Sequence, residues 1–480
     1  MLVFTLQALW GKRLKQMKAM SRKSKIIGLC TAAGILLLAG IGLCLWLGGY
    51  FGARAIRLAP AYQELFTEEE AARHRMILPE YDTDNTIAYL NWDGTKSLYV
   101  YAAPIRYQNA SEVWTLIDSR LASVEEESER KKGYAYTIAS SDIVPYFPQK
   151  MSAEAGIRLV KSIEIAFGVD SDVSIRGQVK EEANFIGEKK TMVSYAGAFG
   201  KGSRARFYPT SLGVNGEVTV GNTAADGSFG MWLEIPESEA HLQLTNGGYL
   251  VLQTLEKDPK ILAVIQKPLL RTGTGEIRTD GTVSFEKQGG GRYRLQFSFG
   301  AEVPEGSTLF LSFEMRREKQ PDNALYSGFP DLKYAYLRNY AVVGNSPDYG
   351  IGQLMIRYQF TQRLHLKAED ILKASYYTYS LTDRQDRLEM RTILEDWCSM
   401  TGNWNRHYAV GERTAFLESL QPELCFDITD EVKMWCGDPD GQLEHNGLLL
   451  KSADEQDGLY NVLLSNDNTL YRNRTEIQLK

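Results

Sequence analysis

The chain has 480 residues, of which 44% are hydrophobic and 24% are charged, so it can bury a sizeable core in about two or three domains. The formal net charge is −6, although the first 25 residues hold seven Lys or Arg and no acidic residue, so the remainder is more acidic than the whole. An acidic protein repels the phosphate backbone, which excludes nucleic acid as the expected partner.

An uncharged stretch runs from Ile26 to Gly49, directly after the basic segment of residues 1–25. As a helix rising about 1.5 Å per residue, it would be longer than the roughly 30 Å of bilayer hydrocarbon. Basic residues before an apolar span favour a cytoplasmic N-terminus. The sequence therefore predicts a single-pass signal anchor in the cell membrane, with the C-terminal ectodomain extracellular. Cleavage after Ala55 is the alternative, although the apolar part of a cleaved signal peptide is usually about 7–15 residues long.

Residues 50–85 are predicted to form a juxtamembrane stalk that contains a helix over Ala61–Met76, where the residues have helical spacing without internal Gly or Pro. Alternating segments on either side of Asp93 and Gly94 predict a hairpin, because Asp-Gly is favoured in tight hairpin turns. Residues 86–330 continue with short alternating segments between Gly-rich turns. This pattern predicts a β-rich ectodomain of antiparallel strands, whose role the sequence leaves open.

Residues 332–480 form a further predicted β domain that contains one short helix. Asp430 has the composition of an N-cap, and Trp435 is expected in the core because Val432 lies one turn before it. The predicted fold class is therefore mainly β, with a single N-terminal transmembrane helix followed by antiparallel β-sandwich domains.

The C-terminal third resembles the DNRLRE domain, a jelly-roll β-sandwich grouped with carbohydrate-binding modules. The resemblance is carried by Asn345–Gly350 (NSPDYG), Arg357–Leu364 (RYQFTQRL), Ile371–Tyr377 (ILKASYY), Leu424–Thr429 (LCFDIT) with Val432 and Trp435, and Gly447–Leu450 (GLLL). The central, tryptophan-containing part of the DNRLRE domain has only a loose counterpart in this chain, at Trp397 and Trp404. Upstream, Ser97–Pro104 with Tyr107, Trp114, Ile117 and Asp118 resembles the opening of exported bacterial Rhs-type proteins, which often carry DNRLRE modules.

The resemblance implies a jelly roll at residues 332–480 that binds a cell-wall or extracellular polysaccharide at the cell surface. Flat rings stack on sugars, and polar neighbours fix the hydroxyl groups. The candidate ligand-binding residues are Tyr377, Tyr379, Trp404, Arg406 and Tyr408, with Arg406 suited to an acidic sugar. Strand alternation places Tyr377 and Tyr379 on one face and Tyr376 on the other, so at least one of the three is structural.

No cofactor is expected, although calcium is an open alternative because acidic loops supply hard oxygen ligands. The candidate calcium ligands are Asp82, Asp84, Asp348, Asp438 and Asp440, for which a solvated loop acid is the favoured interpretation. The three cysteines beyond residue 50 are Cys398, Cys425 and Cys436. They allow at most one disulfide with one thiol left over, and their spacing does not match a CxxC metal motif.

Catalytic motifs such as HExxH, GxSxG and a Walker-type phosphate loop are absent from the sequence, so a non-catalytic surface protein is favoured. Two alternatives stay open: an adhesive or structural module that binds protein, and an exported polysaccharide-processing enzyme with its site in residues 86–330. An exposed aromatic groove would favour sugar, a flat apolar patch would favour protein, and a cleft with two carboxylates about 5–10 Å apart would favour hydrolysis.

Overall fold

The computed structural model describes residues 60–170, 174–221, 228–316, 322–332, 338–357, 364–382, 387–398, 402–417, 422–437, 446–465 and 473–480. In these ranges the protein is mainly β, and its paired strands run antiparallel. The predicted antiparallel, sandwich-like layers are therefore present.

One part of the predicted fold class is corrected. Within the described ranges, no helix is long and apolar enough to cross a membrane, so the single N-terminal transmembrane helix is unsupported. The stretch predicted to form it, Ile26 to Gly49, lies outside the described residues. The longest helix in the described ranges has eight residues, about 12 Å at 1.5 Å per residue, far below the roughly 30 Å that a bilayer requires.

The first elements are helices α1 (Pro60–Leu65) and α2 (Glu68–Arg73), strands β1 (His74–Ile77), β2 (Thr86–Asn91), β3 (Lys96–Tyr101), β4 (Arg106–Gln108), β5 (Trp114–Leu116) and β6 (Asp118–Ser123), and helix α3 (Glu127–Lys131). The next strands are β7 (Tyr134–Ser140), β8 (Val144–Pro148), β9 (Lys150–Met151), β10 (Ile157–Val160), β11 (Glu164–Val169), β12 (Ile175–Ala183), β13 (Lys189–Ala196), β14 (Arg204–Pro209), β15 (Gly213–Thr219), β16 (Ser228–Glu234), β17 (Ala240–Leu244) and β18 (Leu250–Thr254). Short 3-10 turns lie at Pro79–Tyr81 and Ala368–Asp370.

The chain continues with strands β19 (Ile261–Ile265), β20 (Leu269–Arg271), β21 (Ile277–Arg278), β22 (Thr282–Gly289), β23 (Arg292–Ser298), β24 (Thr308–Met315), β25 (Asp322–Tyr326), β26 (Tyr340–Ser346), β27 (Gly350–Ile356) and β28 (Ile371–Tyr379). The last elements are β29 (Leu388–Ile393), β30 (Val410–Leu417), β31 (Glu423–Asp427), helix α4 (Thr429–Cys436), β32 (Leu448–Ser452), β33 (Tyr460–Leu464) and β34 (Arg474–Leu479).

The helix predicted over Ala61–Met76 is divided in two by a capping box at Thr67. The Thr67 hydroxyl accepts a hydrogen bond from the Glu70 backbone N–H at 3.2 Å, and a Glu70 carboxylate oxygen accepts one from the Thr67 backbone at 2.8 Å. This reciprocal arrangement fixes a helix start at Glu68. Helix α2 then ends at Arg73, and β1 begins at His74. The β2–β3 hairpin around Gly94 is confirmed.

The described strands of the middle of the chain form a sandwich of two sheets. An eight-stranded sheet has the order β22-β23-β16-β11-β10-β8-β7-β6, and an eleven-stranded sheet has the main order β17-β18-β19-β24-β15-β14-β13-β12-β9, with β20 beside β24 and β21 beside β20. Their facing side chains form one apolar core, in which the rings of Phe167 and Phe313 stack at 3.8 Å. Burial of such large rings is the main stabilising contribution of this layer.

A second sandwich contains the terminal strands together with the first strands of the chain. Its six-stranded sheet has the order β1-β2-β3-β34-β28-β31, and its seven-stranded sheet has the order β30-β29-β32-β27-β26-β33 with β25 beside β27. Because β34 pairs with both β3 and β28, this sheet crosses the predicted boundary near residue 332. The outer face of β2 and β3 is covered by α1, through Tyr62 and Leu65.

The eleven-stranded sheet joins the two sandwiches because both faces of its central strands β14, β15 and β24 are buried. Along β24, Leu309 and Leu311 point into the core of the middle sandwich, whereas Phe310 belongs to the core of the terminal one. This alternation follows from the two-residue period of a strand. Arg338, which is 3% exposed, strengthens the junction, since it lies over the rings of Tyr249 at 5.7 Å and Tyr349 at 5.0 Å.

Helix α4 confirms one prediction and corrects another. Val432 and Trp435 are buried in the terminal core, as their spacing predicted. Asp430 is not the N-cap: it lies in the first turn, and the helix begins at Thr429. Asp427 accepts hydrogen bonds from the backbone and hydroxyl of Thr429, so the polar partner at this helix start lies three residues earlier than predicted.

Candidate functional site

The predicted aromatic site is divided between the two outer faces of the terminal sandwich. Tyr377 and Tyr379 lie on β28 of the six-stranded sheet, where Tyr376 points into the core and Tyr377 away from it. Trp404, Arg406 and Tyr408 lie in the segment between β29 and β30, over the outer face of the seven-stranded sheet. The structure therefore does not bring the five residues together.

The loop residues Trp404 and Tyr408 have a packing role. They are partly buried against a small apolar cluster on the outer face of the seven-stranded sheet, which includes Met355 and Trp397. The Trp397 indole N–H donates a hydrogen bond of 2.6 Å to the carbonyl of Asn446. With their rings turned towards this cluster, Trp404 and Tyr408 offer little flat surface to a ligand.

Charged residues hold this loop from the outside. Arg406 is exposed, lies 5.2 Å from the Tyr408 ring, and donates a hydrogen bond of 3.0 Å to the carbonyl of Asp396. Arg357 forms an ion pair with the Asp396 carboxylate and lies over the Trp397 ring at 5.1 Å. Arg357 is thus a structural salt-bridge residue.

Tyr377 lies in a cleft of about 320 Å³ between helix α2 and the outer face of the six-stranded sheet, which we call the Tyr377 cleft. Residues 373, 375 and 377 of β28 and residues 474, 476 and 478 of β34 point to this face because strand side chains alternate. The lining consists of Thr67, Glu69, Glu70, Arg73, Lys373, Ser375, Tyr377, Glu423, Arg474, Glu476 and Gln478.

Arg474 organises the charges of the cleft. One of its guanidinium nitrogens is 3.1 Å from the Glu70 carboxylate of helix α2, and the other is 3.2 Å from the Glu423 carboxylate of β31. The guanidinium also lies 4.4 Å from the centre of the Tyr377 ring. These contacts connect the helix, two strands and the ring, so the wall of the cleft is held in one arrangement.

A second ion pair of the cleft joins Arg73 and Glu476 at 3.6 Å. Burial raises the pKa of Glu476; Arg73 opposes this change and Glu70 adds to it. Burial alone would lower the pKa of Arg474, but Tyr101 and Glu70 raise it above its ordinary value, so the guanidinium stays charged. Burial also raises the pKa of Tyr377, whose hydroxyl therefore stays protonated at neutral pH.

The Tyr377 cleft combines one partly exposed ring with hydrogen-bond donors and acceptors on all sides. The carboxylates of Glu70, Glu423 and Glu476 are engaged by arginines, which hold them as fixed acceptors. The ammonium group of Lys373 and the amide of Gln478 supply donors at the same face. Such a surface suits a ligand rich in hydroxyl groups and offers little to an apolar one.

Tyr379 lies outside the cleft lining, although it shares a strand and a face with Tyr377. Its ring is partly buried against the terminal core, and its hydroxyl donates to the carbonyl of Ile186 at 3.5 Å.

The charged residues of the cleft were missed by the sequence interpretation. The alternation of RTEIQL over Arg474–Leu479 was the available signal, since it places Arg474 and Glu476 on one face.

The calcium hypothesis gains no support from the described residues, which contain no group of three His, Cys, Asp or Glu side chains able to hold a metal ion. Asp82 is paired with Arg106, and Asp348 accepts a hydrogen bond of 3.1 Å from the Thr279 hydroxyl. Asp438 and Asp440 lie outside the described residues.

The three cysteines in the described part of the chain, Cys398, Cys425 and Cys436, are free thiols, so they form no disulfide.

The fold and the cleft together define a protein of antiparallel β-sandwich layers with a polar groove on an outer sheet face. Beyond that class the comparisons add nothing: no protein-family model matches the chain, and no curated protein matches it in sequence.

Proposed function

We propose that this chain is a non-catalytic carbohydrate-binding protein and that the Tyr377 cleft holds a segment of a cell-wall or extracellular polysaccharide. The observation that carries the proposal is the position of a partly exposed ring on a sheet face, surrounded by fixed donors and acceptors. The resemblance of residues 332–480 to the DNRLRE domain supports the same ligand class.

Binding is favoured over hydrolysis because three of the four carboxylates that line the cleft form ion pairs. Glu70 and Glu423 both face the guanidinium of Arg474, and Glu476 faces Arg73, so each carboxylate stabilises the wall. A hydrolase needs one carboxyl group to donate a proton and another to act on water or sugar. A protein partner is disfavoured because the cleft is concave and charged, whereas protein interfaces have an apolar centre.

The proposal is tested by sedimentation of the full-length chain with insoluble peptidoglycan, chitin, xylan, pectin and alginate. Retention by at least one polymer is expected, and Tyr377→Ala should strongly reduce it because the ring is lost. Tyr377→Phe should keep most of the retention, since the ring remains. Tyr379→Ala is the matched control on the same strand, and it should bind as the wild type does. Failure of the wild type to bind any polymer, or equal loss in both alanine variants, would contradict the proposal.

A further inference from the structure

A second concave surface lies on the other sandwich, at the outer face of the eight-stranded sheet. It has a volume of about 550 Å³ and lies between β7 and β10 on one side and β16 on the other. Across three neighbouring strands the register places Arg158 beside Ala166 and Ala166 beside Glu234. A small residue between two large ones makes a trough in the sheet, which we call the Ala166 trough.

Beside the floor of the trough, the Trp232 ring lies against two glycines. Gly168 is paired with Trp232, and a Cβ atom at Gly168 would lie 2.9 Å from the Trp232 ring. A Cβ at Gly156 would lie 2.5 Å from the same ring. A Cβ at Gly156 would also collide with the backbone carbonyl of Phe167. Glycine at both positions therefore lets the Trp232 ring lie flat against the sheet and form one wall of the trough.

Both walls are rigid without a ligand. Arg158 is 7% exposed, is ion-paired with Glu129, and lies over the rings of Tyr134 at 4.9 Å and Tyr146 at 4.7 Å. On the opposite side, the Trp232 indole N–H donates a 3.1 Å hydrogen bond to the carbonyl of Ser152. A site whose walls are already ordered loses less entropy when a ligand binds.

The chemistry of the trough resembles that of the Tyr377 cleft. Lys150, Glu154 and Glu234 are exposed at its rim, and the partly buried Tyr134 adds a phenol. Donors and acceptors of both charge signs surround a floor of Ala and Gly, and the volume is within the usual 300–1,000 Å³ or so of ligand pockets. The complement of such a surface is a ligand with many hydroxyl groups and little net charge.

We propose that the Ala166 trough is a second saccharide site, so that one chain holds a polysaccharide at two places. This inference rests on the proposed function of the Tyr377 cleft and gives the chain a second binding site for the same polymer. Binding of the second site to a polymer already held at the first is effectively intramolecular, so the avidity exceeds either single affinity. A short saccharide cannot benefit in this way, and it binds each site weakly.

The test compares four full-length proteins: the wild type, Tyr377→Ala, Ala166→Phe and the double variant. Ala166→Phe places a ring on the floor of the trough, at a partly exposed position where the fold has room for it. The probes are the polymers named above and hexasaccharides cut from each of them. Calorimetry should give two hexasaccharides per wild-type chain, one per single variant and none for the double variant. Polymer retention should fall by roughly 10²-fold or more in each single variant.

A second trough variant, Glu234→Ala, covers the case in which Ala166→Phe does not fold, and it should also remove one hexasaccharide. One hexasaccharide per wild-type chain that is lost in Tyr377→Ala alone would overturn the second site and leave the cleft proposal standing. One hexasaccharide that is lost only in the trough variants would overturn the cleft proposal, because the cleft would then bind nothing. Absence of any bound hexasaccharide in the wild type would overturn both.

Discussion

The two outer faces of the terminal sandwich both carry aromatic residues, yet they use them differently. On the six-stranded sheet, Tyr377 is held by a strand, and its neighbours Arg474 and Glu476 are ion-paired residues that line a cleft. On the seven-stranded sheet, Trp404 and Tyr408 come from a loop and pack onto an apolar cluster. An aromatic side chain thus stays accessible where the surface around it is polar, because no loop packs over such a surface.

The two faces differ because the surface around the Trp404 ring is apolar, whereas the surface around the Tyr377 ring is charged. A loop side chain that reaches exposed apolar atoms gains about 25 cal/mol for each Å² removed from water, so it turns inward. The face around Tyr377 offers charges instead, and covering paired charges gives no comparable gain because their hydration is lost. The cleft therefore stays open, whereas the apolar cluster under Trp404 is closed.

The largest expected effect of a substitution is on the closed face. Trp397→Ala should lower the free energy of unfolding by about 3–5 kcal/mol, because Trp397 is only 3% exposed and its loss leaves a cavity. Urea denaturation of the full-length chain measures this change. Trp92→Ala is the control, since Trp92 is 51% exposed, and it should cost about 0.5 kcal/mol or less. Similar losses in the two variants would show that the loop cluster does not stabilise the fold.

A smaller effect is expected from Trp404→Ala, because the ring is only partly buried. The expected cost is about 1–2 kcal/mol, below that of burying a large side chain completely. Retention on the polysaccharide should not change, since Trp404 is on the face away from the cleft. Tyr377→Ala should show the opposite pattern, with polymer retention strongly reduced and a smaller change in stability. Loss of binding in Trp404→Ala would place the ligand on the loop face.

Glu476→Gln tests the electrostatics of the cleft through the pH dependence of the free energy of unfolding. Burial raises the pKa of Glu476 in the folded state above its ordinary value of 4.5, so the folded state binds this proton more tightly than the unfolded state. Ionisation of Glu476 then reduces stability as the pH rises above about 4.5. The variant cannot ionise, so its stability relative to the wild type should increase with pH over that window.

Asp93→Asn serves as a control of opposite sign in the same titration. Hydrogen bonds from Thr95 lower the pKa of Asp93 below its ordinary value of 3.8. The ionised carboxylate is therefore favoured by folding, and this contribution is lost as the pH falls. Denaturation midpoints between about pH 3 and pH 8 should move in opposite directions for the two variants. The same slope in both would contradict the assignment of burial as the dominant influence on Glu476.

The smallest expected effect is a change in labelling rates of the thiols, which mark the two faces. Cys425 on β31 is exposed and lies opposite Tyr377 on the neighbouring strand β28, whereas Cys398 is exposed near the loop cluster. Burial raises the pKa of Cys436 to about 11, so little thiolate exists there at pH 8. Bound polysaccharide should slow the alkylation of Cys425 and leave Cys398 unchanged, with Cys436 unreactive throughout. Mass spectrometry of the labelled peptides measures each rate, and equal protection of Cys398 would refute a cleft-specific ligand.

Local patterns in the sequence were sufficient to predict several local elements. The Asp93-Gly94 turn specified the hairpin, strand alternation separated Tyr376 from Tyr377, and helical spacing placed Val432 with Trp435. These features depend on residues within a few positions of one another, where turn chemistry and periodicity are sufficient. The candidate site was predicted only in part, because Tyr377 was identified without the charges around it.

Contacts between segments that are distant in the chain could be seen only in the folded structure. Strand β34 pairs with β3 and β28, and Arg474 faces a carboxylate on Glu70, a residue about 400 positions earlier. Alternation predicts that a side chain points outward from a sheet, but it does not say which strand lies beside it. It also did not show that Trp404 would turn inward, since this depends on apolar atoms of β27 and β32 beneath the loop. Pairing between distant strands is set by the global balance of burial and chain entropy, which a local pattern does not contain.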